Sequence, residues 1–365
     1  MSGHAPRGSP GPDASRRGRR PTVQDVAREA GVSASTVSRA LSGNGYAAED
    51  VRKRVHAVAA RIGYIPDANA RSLRNRSSHS VGVLISDLRN PFYADLAAGV
   101  EQRLRSAGYH MILVNDDGHA GEEMLAVQTF AAMRVAGVIV TPVSVEAVKS
   151  LHQHGVHVVQ ADRRISARHG DAVLGDNEAG AELVTRHLLQ LGHRRIALLI
   201  DETKWTSGAG RLAGYRAAHA AAGAPVDEDL IAFTSFDAAA AGATAGRLLD
   251  ARPDVTALFA ANNVLAQGAF AEFQRRGLRL PDQLSIAAYD DVPWMSLVRP
   301  AITTVSQHTF DLGRRCADVL LARLSGEYAE DGPPRLVRVE PALFVRGSTG
   351  QAPPVGERAN DRKAR

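Results

Sequence analysis

Some of the residues best suited to chemistry in this chain are donors, acceptors and methyl groups that suit the edges of nucleic-acid bases. In "GVSASTVSRAL" (31–41), Ala34, Ser35, Ser38 and Arg39 fall outside the apolar stripe that Val37 and Leu41 form at one-turn spacing. On a helix lying in a DNA major groove, Arg39 can give two hydrogen bonds to guanine O6 and N7, Ser35 can bond to several bases, and Ala34 can touch a thymine methyl. Helical hairpins with small polar residues also serve as interaction modules, but the charge distribution favours DNA. Residues 1–80 hold 14 Lys/Arg against 6 Asp/Glu, whereas the remainder holds 30 against 33. A net charge of +5 therefore conceals a basic amino-terminal region whose natural partner is a polyanion.

Other candidate chemistries are weaker. Ser207 and Arg211, four apart in "SGAGR", share a face at a helix start and can point at one ligand. The glycine-rich "SGAGRLAG" that follows "RIALLI" is a poor dinucleotide loop, because Gly208 comes well after the strand's tip, where phosphate must meet a helix N-terminus. No Walker, G-x-S-x-G or H-E-x-x-H pattern occurs, so no catalytic residue, metal or cofactor is assigned and an enzyme is not expected. In "HQHGVH", His152, His154 and His157 do not have the spacing of a metal-ligand pattern, and the glycine breaks any helix. The single cysteine, Cys316, excludes a disulfide framework and reads as a small buried hydrophobe in a reducing compartment. No run approaches the roughly 20 apolar residues of a membrane span, and the first residues lack the apolar stretch of a signal peptide. A cytoplasmic protein with no membrane partner is the expectation.

These side chains need elements to hold them. Thr22 can cap a first helix, with Asp25 answering it, and Ser33 can cap a second. Val26 and Ala30 share one face, Gly31 suits the tight turn, and a third helix from about Asp50 to Ile62 supplies Val51, Val55, Val58 and Ile62. Three short helices with a tight turn between the first two make a helix-turn-helix. From residue 80 onward, strand-length apolar runs alternate with helical patterns: "VGVLIS" (81–86), "HMILVN" (110–115), "AGVIVT" (136–141), "VHVVQ" (156–160), "RIALLI" (195–200), "TALFAA" (256–261) and "SIAAYD" (285–290). Such alternation predicts an α/β fold with parallel sheets covered on both faces and ligands at the carboxyl ends of the strands. Its length suggests two similar lobes with a cleft between them. The expected organisation is a disordered basic arm (1–20), a helix-turn-helix headpiece (21–66), a hinge and linker (67–79), a two-lobed effector-binding and dimerisation domain (80–346) and a disordered tail (347–365).

The stretch from "TVQDVAREAGVSASTVSRALSGNGY" to "DANARSLR" resembles the DNA-binding headpiece and hinge of the lactose-repressor (LacI/GalR) family of bacterial transcription regulators. The resemblance continues through "VGVLISDLRNPFYADLAAGVE", "DNEAGAELVTRHLLQLGHRRIALL", "RLAGYRAA" and "YDDVPWMSLVRPAITTVSQ", covering about residues 21–346. It implies a homodimer, most simply a repressor, whose headpieces read an inverted-repeat operator in double-stranded DNA. Arg39, Ala34 and Ser35 match base-reading positions; Thr22, Thr36 and Ser38 match places that contact phosphates. In the hinge, a short helix capped by Asp67 or Asn69 would order only on DNA and against its dimer mate. Leu73 would then wedge between central base pairs from the minor groove, with Arg71 and Arg74 near the phosphates.

The same resemblance implies a second domain like a periplasmic sugar-binding protein, with three chain crossings and a small molecule between two lobes. Arg211 matches a ligand-binding arginine, Asp290 and Asn262 match polar groups at strand ends, and Phe92 and Phe236 match aromatic positions that pack on the ligand, with Tyr93 beside them. Each has a plainer reading: Arg211 and Asp290 could pair with each other across the cleft, and the aromatics could be core. A sugar or sugar derivative is the leading effector, ahead of a purine or a phosphoprotein corepressor. One departure stands out. The family reads Asn-Asp before its "A-x-G-A" helix, whereas this chain has Asn262-Asn263, which removes an acceptor-only carboxylate and weakens the case for a polyol.

Overall fold

A computed structural model describes residues 20–42, 46–65, 78–329 and 332–353. They fall into two compact units, one within residues 1–77 and one within 78–365.

The smaller unit holds α1 (Val23–Ala30), α2 (Ala34–Ser42) and α3 (Glu49–Ile62). Thr22 and Asp25 form a reciprocal capping box on α1. Gly31 ends that helix with φ of +66°, a left-handed conformation that costs glycine little. The turn leads directly to Ser33, whose Oγ accepts from the Thr36 amide at 3.2 Å and so starts α2. Val26, Ala30, Val37, Ala40, Val55 and Val58 close a small core among the three helices. The Arg54 guanidinium donates to the Ala30 carbonyl at 3.0 Å, tying α3 to the end of α1.

The larger unit contains two six-stranded sheets. The first is built from β1 (Ser80–Ile85), β2 (His110–Asn115), β3 (Gly137–Val140), β4 (His157–Ala161), β5 (Asp171–Gly175) and β11 (Leu336–Val339), the second from β6 (Ile196–Ile200), β7 (Ile231–Phe233), β8 (Ala257–Ala260), β9 (Ser285–Tyr289), β10 (Thr303–Ser306) and β12 (Ala342–Phe344). Their orders are β11-β5-β4-β3-β1-β2 and β12-β10-β9-β8-β6-β7. Central registers place Val83 between Leu113 and Ile139, and Phe259 between Leu198 and Ala287.

Helices cover both faces of each sheet. In the first lobe, α4 (Pro91–Ser106) and α12 (Thr309–Leu324) pack Leu96, Val100, Leu312 and Leu320 against Val81 and Val83. On the opposite face, α5 (Ala120–Met133) and α6 (Val145–Gln153) pack Phe130 and Leu151 against Leu84 and Val138. In the second lobe, α7 (Asn177–Gln190) and α8 (Thr206–Ala221) cover one face through Leu188 and Tyr215, and α9 (Ala238–Ala251) and α10 (Asn263–Arg275) cover the other through Leu249 and Phe273. A short α11 spans Trp294–Leu297. Each fully buried Leu, Val or Phe contributes about 1.5–3 kcal/mol relative to exposure, which explains why these strands read as unbroken apolar runs. Cys316 belongs to the first-lobe core, where burial pushes its thiol pKa up and keeps it protonated.

The glycines of "SGAGRLAG" serve close backbone approach, to the preceding loop and to the neighbouring helix. A Cβ at Gly208 would fall 1.9 Å from the Glu202 carbonyl oxygen, and one at Gly214 would fall 2.1 Å from that of Glu178 on α7. His152 and His154 lie at the end of α6 and His157 opens β4; the His152 ring meets His169 edge-on, with centroids 5.3 Å apart.

The chain passes between the lobes three times: from β5 into α7, from β10 into α12, and from β11 into β12. The last passage adds one antiparallel edge to the expected parallel sheets. β12 runs antiparallel to β10, pairing Phe344 with Thr304, while the remaining pairings are parallel. Parallel strands of both lobes point their carboxyl ends at the cleft, so a chain leaving β11 in that direction enters the second sheet from its cleft end and runs away from it. One correction concerns the expected tail from 347. Residues 347–353 are built into the second lobe: Ser348 is fully buried, accepts from the Thr303 amide at 2.8 Å and donates to the Ile286 carbonyl at 2.6 Å.

Candidate functional site

On α2, Ala34, Ser35 and Arg39 are exposed, while Thr36 and Ser38 are half-buried. The Ser33 hydroxyl lies 2.8 Å from those of both Ser35 and Thr36, and Arg39 donates to Thr36 Oγ1 at 3.4 Å. The side chains expected to face bases and phosphates thus form one organised polar surface. Thr22 differs: its amide and hydroxyl both donate to Asp25 Oδ2, at 2.9 and 2.7 Å, so its donors are already engaged in the cap. Arg71, Leu73 and Arg74 lie outside the described residues.

The larger unit has a cavity of about 370 Å³ between its lobes, lined by the carboxyl ends of β1, β2, β4, β6, β7, β8 and β9 and the loops that follow them. All seven residues expected there, Phe92, Tyr93, Ser207, Arg211, Phe236, Asn262 and Asp290, line it. They do so in different ways. Phe92 and Tyr93 are 4% and 5% exposed and pack mainly into the first-lobe core, whereas Phe236 is 43% exposed. Asn262 caps α10 by accepting from the Leu265 amide at 2.9 Å, and its own amide donates to Asp201 at 3.2 Å.

Arg211 is the best-anchored of the set. Its Nε donates to Asn177 Oδ1 at 2.9 Å, its Nη1 to the Ala261 carbonyl at 2.6 Å, and its guanidinium lies 4.1 Å from the Tyr289 ring centroid. Burial opposes its charge, but Asp290, Asp162 and Asp201 outweigh that and raise its pKa. Asp290 follows β9 with φ of +67° and sits 3.9 Å from Arg211 Nη2. Both belong to the second lobe, so their pairing does not cross the cleft. Gln307, on the second lobe crossing, donates to Asp290 Oδ1 at 2.7 Å.

Several cleft residues escaped the sequence reading, Asp162, Arg163 and Trp205 among them. Asp162 and Arg163 follow β4 in "ADRR", and Trp205 precedes α8. Asp162 is 6% exposed with φ of +66°, and its Oδ1 is buried without a hydrogen-bond partner. Desolvation pushes its pKa up to about 6 against the pull of Arg211 and Arg163. Arg163 is held by the Pro142 carbonyl at 2.7 Å and by Ser86 Oγ at 2.5 Å. The available signal was position alone: an acidic residue directly after a buried parallel strand sits where such folds bind ligands. Over the whole lining, six carboxylates (Asp87, Asp117, Asp162, Asp201, Glu202 and Asp290) face three guanidinium groups (Arg89, Arg163 and Arg211).

A helical DNA-reading unit joined to a two-lobed domain with a polar cleft defines a ligand-controlled DNA-binding regulator. Comparison with known proteins agrees. Residues 22–67 match the bacterial regulatory proteins of the lacI family, and residues 185–349 match the periplasmic binding protein-like domain. The ribose operon repressor of Bacillus subtilis (strain 168) is 34% identical over 300 residues, covering 82% of this chain and 90% of the relative. The transcriptional repressor PurR of Vibrio campbellii (strain ATCC BAA-1116) is 29% identical over 330 residues, covering 90% and 98%. Among solved structures, the regulator CelR in complex with cellobiose has a TM-score of 0.68 at 30% identity, covering 90% of this chain and 100% of that one. The lac repressor dimer bound to operator and an anti-inducer has a TM-score of 0.79 at 26% identity, covering 91% and 100%. The chain belongs to the LacI family of bacterial transcriptional regulators. Among the described residues, no helix is long and apolar enough to cross a membrane.

Proposed function

We propose that the protein is a non-enzymatic repressor that binds an inverted-repeat operator as a homodimer and is controlled by an uncharged monosaccharide, of which D-ribose is the type, held between its lobes. The observation that carries the effector class is Asp162: it lines the cleft with a buried Oδ1 that has no hydrogen-bond partner, and a ligand O–H reached by a small side-chain rotation would relieve the roughly 1–3 kcal/mol that an unpaired buried acceptor costs. The acidic excess of the lining disfavours phosphorylated or carboxylated ligands. Both the ribose operon repressor relative and the cellobiose-bound CelR have names that point to sugars.

For the DNA arm, Ala34, Ser35 and Arg39 read bases, Thr36 and Ser38 contact phosphate, and the hinge residues Arg71, Leu73 and Arg74 act in the minor groove. Ligand control requires that the sugar bind the two lobe arrangements with different affinity, and DNA then changes sugar affinity by the same factor.

The test is a gel shift of full-length protein on the DNA upstream of its own gene, with and without D-ribose, alongside a thermal-shift screen of sugars and nucleobases. A salt-sensitive specific complex whose affinity changes with the sugar supports the proposal. A purine hit with no sugar hit would overturn the effector class, and no specific complex at any protein concentration would overturn the regulator reading.

A further inference from the structure

The two lobes touch at the cleft's rim through a pair of adjacent contacts. The Arg163 guanidinium of the first lobe lies 4.1 Å from the centroid of the Trp205 ring of the second. One residue further along each chain, the Arg164 amide donates to Thr206 Oγ1 at 2.9 Å. Thr206 is exposed and Trp205 half-buried, whereas Asp162 and Arg211, which line the same cleft, are buried.

We propose that Trp205 and Thr206, docked on Arg163 and Arg164, form a clasp that closes one side of the cleft over a single sugar ring and so sets the size of effector the protein accepts. This rests on the reading of the cleft as a sugar site. The clasp is built to hold. Arg163 is fixed from behind by the Pro142 and Thr141 carbonyls and Ser86, so its charged plane is a pre-set seat rather than a mobile side chain. A guanidinium over an indole face is a favourable electrostatic pairing, and more so where partly desolvated. Trp205 stands at the N-cap of α8 without a side-chain capping bond, so its side chain is not needed to start that helix. The seat is also coupled to the ligand. Asp162 directly precedes Arg163, so docking Trp205 fixes the backbone that presents the unpaired Oδ1. A second ring extending toward the rim would have to displace the indole and break both contacts.

Two measurements on the full-length protein test this. In a Trp294→Phe background, Trp205 is the sole tryptophan, and its emission and acrylamide quenching are read without any ligand. Arg163→Gln should red-shift the emission and increase quenching; no change in either would overturn the clasp whatever the cleft binds. Calorimetry with D-ribose and with cellobiose then reads the size role. Trp205→Ala should weaken D-ribose on the order of 3- to 30-fold and gain affinity for cellobiose relative to the parent. Unchanged D-ribose affinity, or tight cellobiose binding by the parent, would overturn the size role. If quenching responds as expected and no variant binds either sugar, the sugar reading and the size role fall together while the contact between the lobes stands.

Discussion

The Asn263 amide of the second lobe donates to Asn90 Oδ1 of the first at 3.1 Å. The direction of this bond is fixed, because Asn90 Oδ1 also caps α4 by accepting from the Phe92 amide at 3.0 Å. Asn263 also reaches Asp290 Oδ2 at 3.4 Å. The departure from the family's Asn-Asp pair therefore places a donor between two acceptors, at a point where the lobes meet.

Asn263→Asp should loosen that contact. An ionised carboxylate there faces Asp290 and the Asn90 Oδ1, which the helix cap keeps turned toward it as an acceptor, a cost of about 1–3 kcal/mol. Lower thermal stability at neutral pH that recovers on acidification, as the new carboxyl protonates, is the expected outcome. Equal stability of the two proteins across pH would contradict the bridge.

Asp162 should make effector binding and stability respond to pH in opposite senses. Its folded pKa is raised to about 6, so its stabilising contribution is full below its unfolded value and lost as pH rises through about 6. Asp162→Asn should stabilise the ligand-free protein at neutral pH, on the order of 2 kcal/mol, while weakening the effector. The comparison is between variant and parent at each pH, because His187 and His219, whose pKas burial lowers, move stability the other way on acidification. Sugar affinity in the parent should fall as pH drops through about 6, since a hydroxyl donor favours the ionised carboxylate. Asp116, also raised to about 6 by burial, does not line the cleft, and Asp116→Asn should leave the pH profile of sugar binding intact.

Arg39→Ala should cost about 1–3 kcal/mol at one base step of the operator. Competition gel shifts with single-base variants check this. A uniform loss on all sequences would assign Arg39 to phosphate instead. Leu73→Ala should preserve sugar binding while reducing operator affinity and DNA bending; bending unchanged from the parent would remove the wedge.

Ending the chain after Arg346 should destabilise the second lobe by about 2–4 kcal/mol, from the loss of Ser348's buried hydrogen bonds and those around it. Ending it after Pro353 should have little effect on the melting temperature. Equal melting of both truncations would show that the strap is dispensable.

The parts of this structure legible in the sequence are those where one residue pattern has one physical meaning. Thr22 with Asp25, Gly31 and Ser33 spell out a helix, a turn and a second helix, and runs such as "RIALLI" have the length and apolar continuity of buried strands. β5 escaped because "DAVLG" begins with an aspartate that pairs with Arg323 on α12, a partner 152 residues away. β10 escaped because Thr303 and Thr304 are polar by type yet fully buried, satisfied by Arg346 and Asp291. In the cleft, Arg211 and Asp290 could be found by motif, but Asp162, Arg163 and Trp205 have meaning only once two distant loops are brought face to face.

The three lobe crossings bear on how the protein is made. The first lobe needs α12 and β11, and the second needs β12 and the strap through residue 352. Neither lobe is therefore complete until residues 336–352 have been synthesised, whereas the three helices that share their own small core precede both lobes in the chain. A synthesis interrupted before residue 336 would leave the helical unit without a working cleft, so control by ligand is acquired only after the DNA-contacting helices have been made.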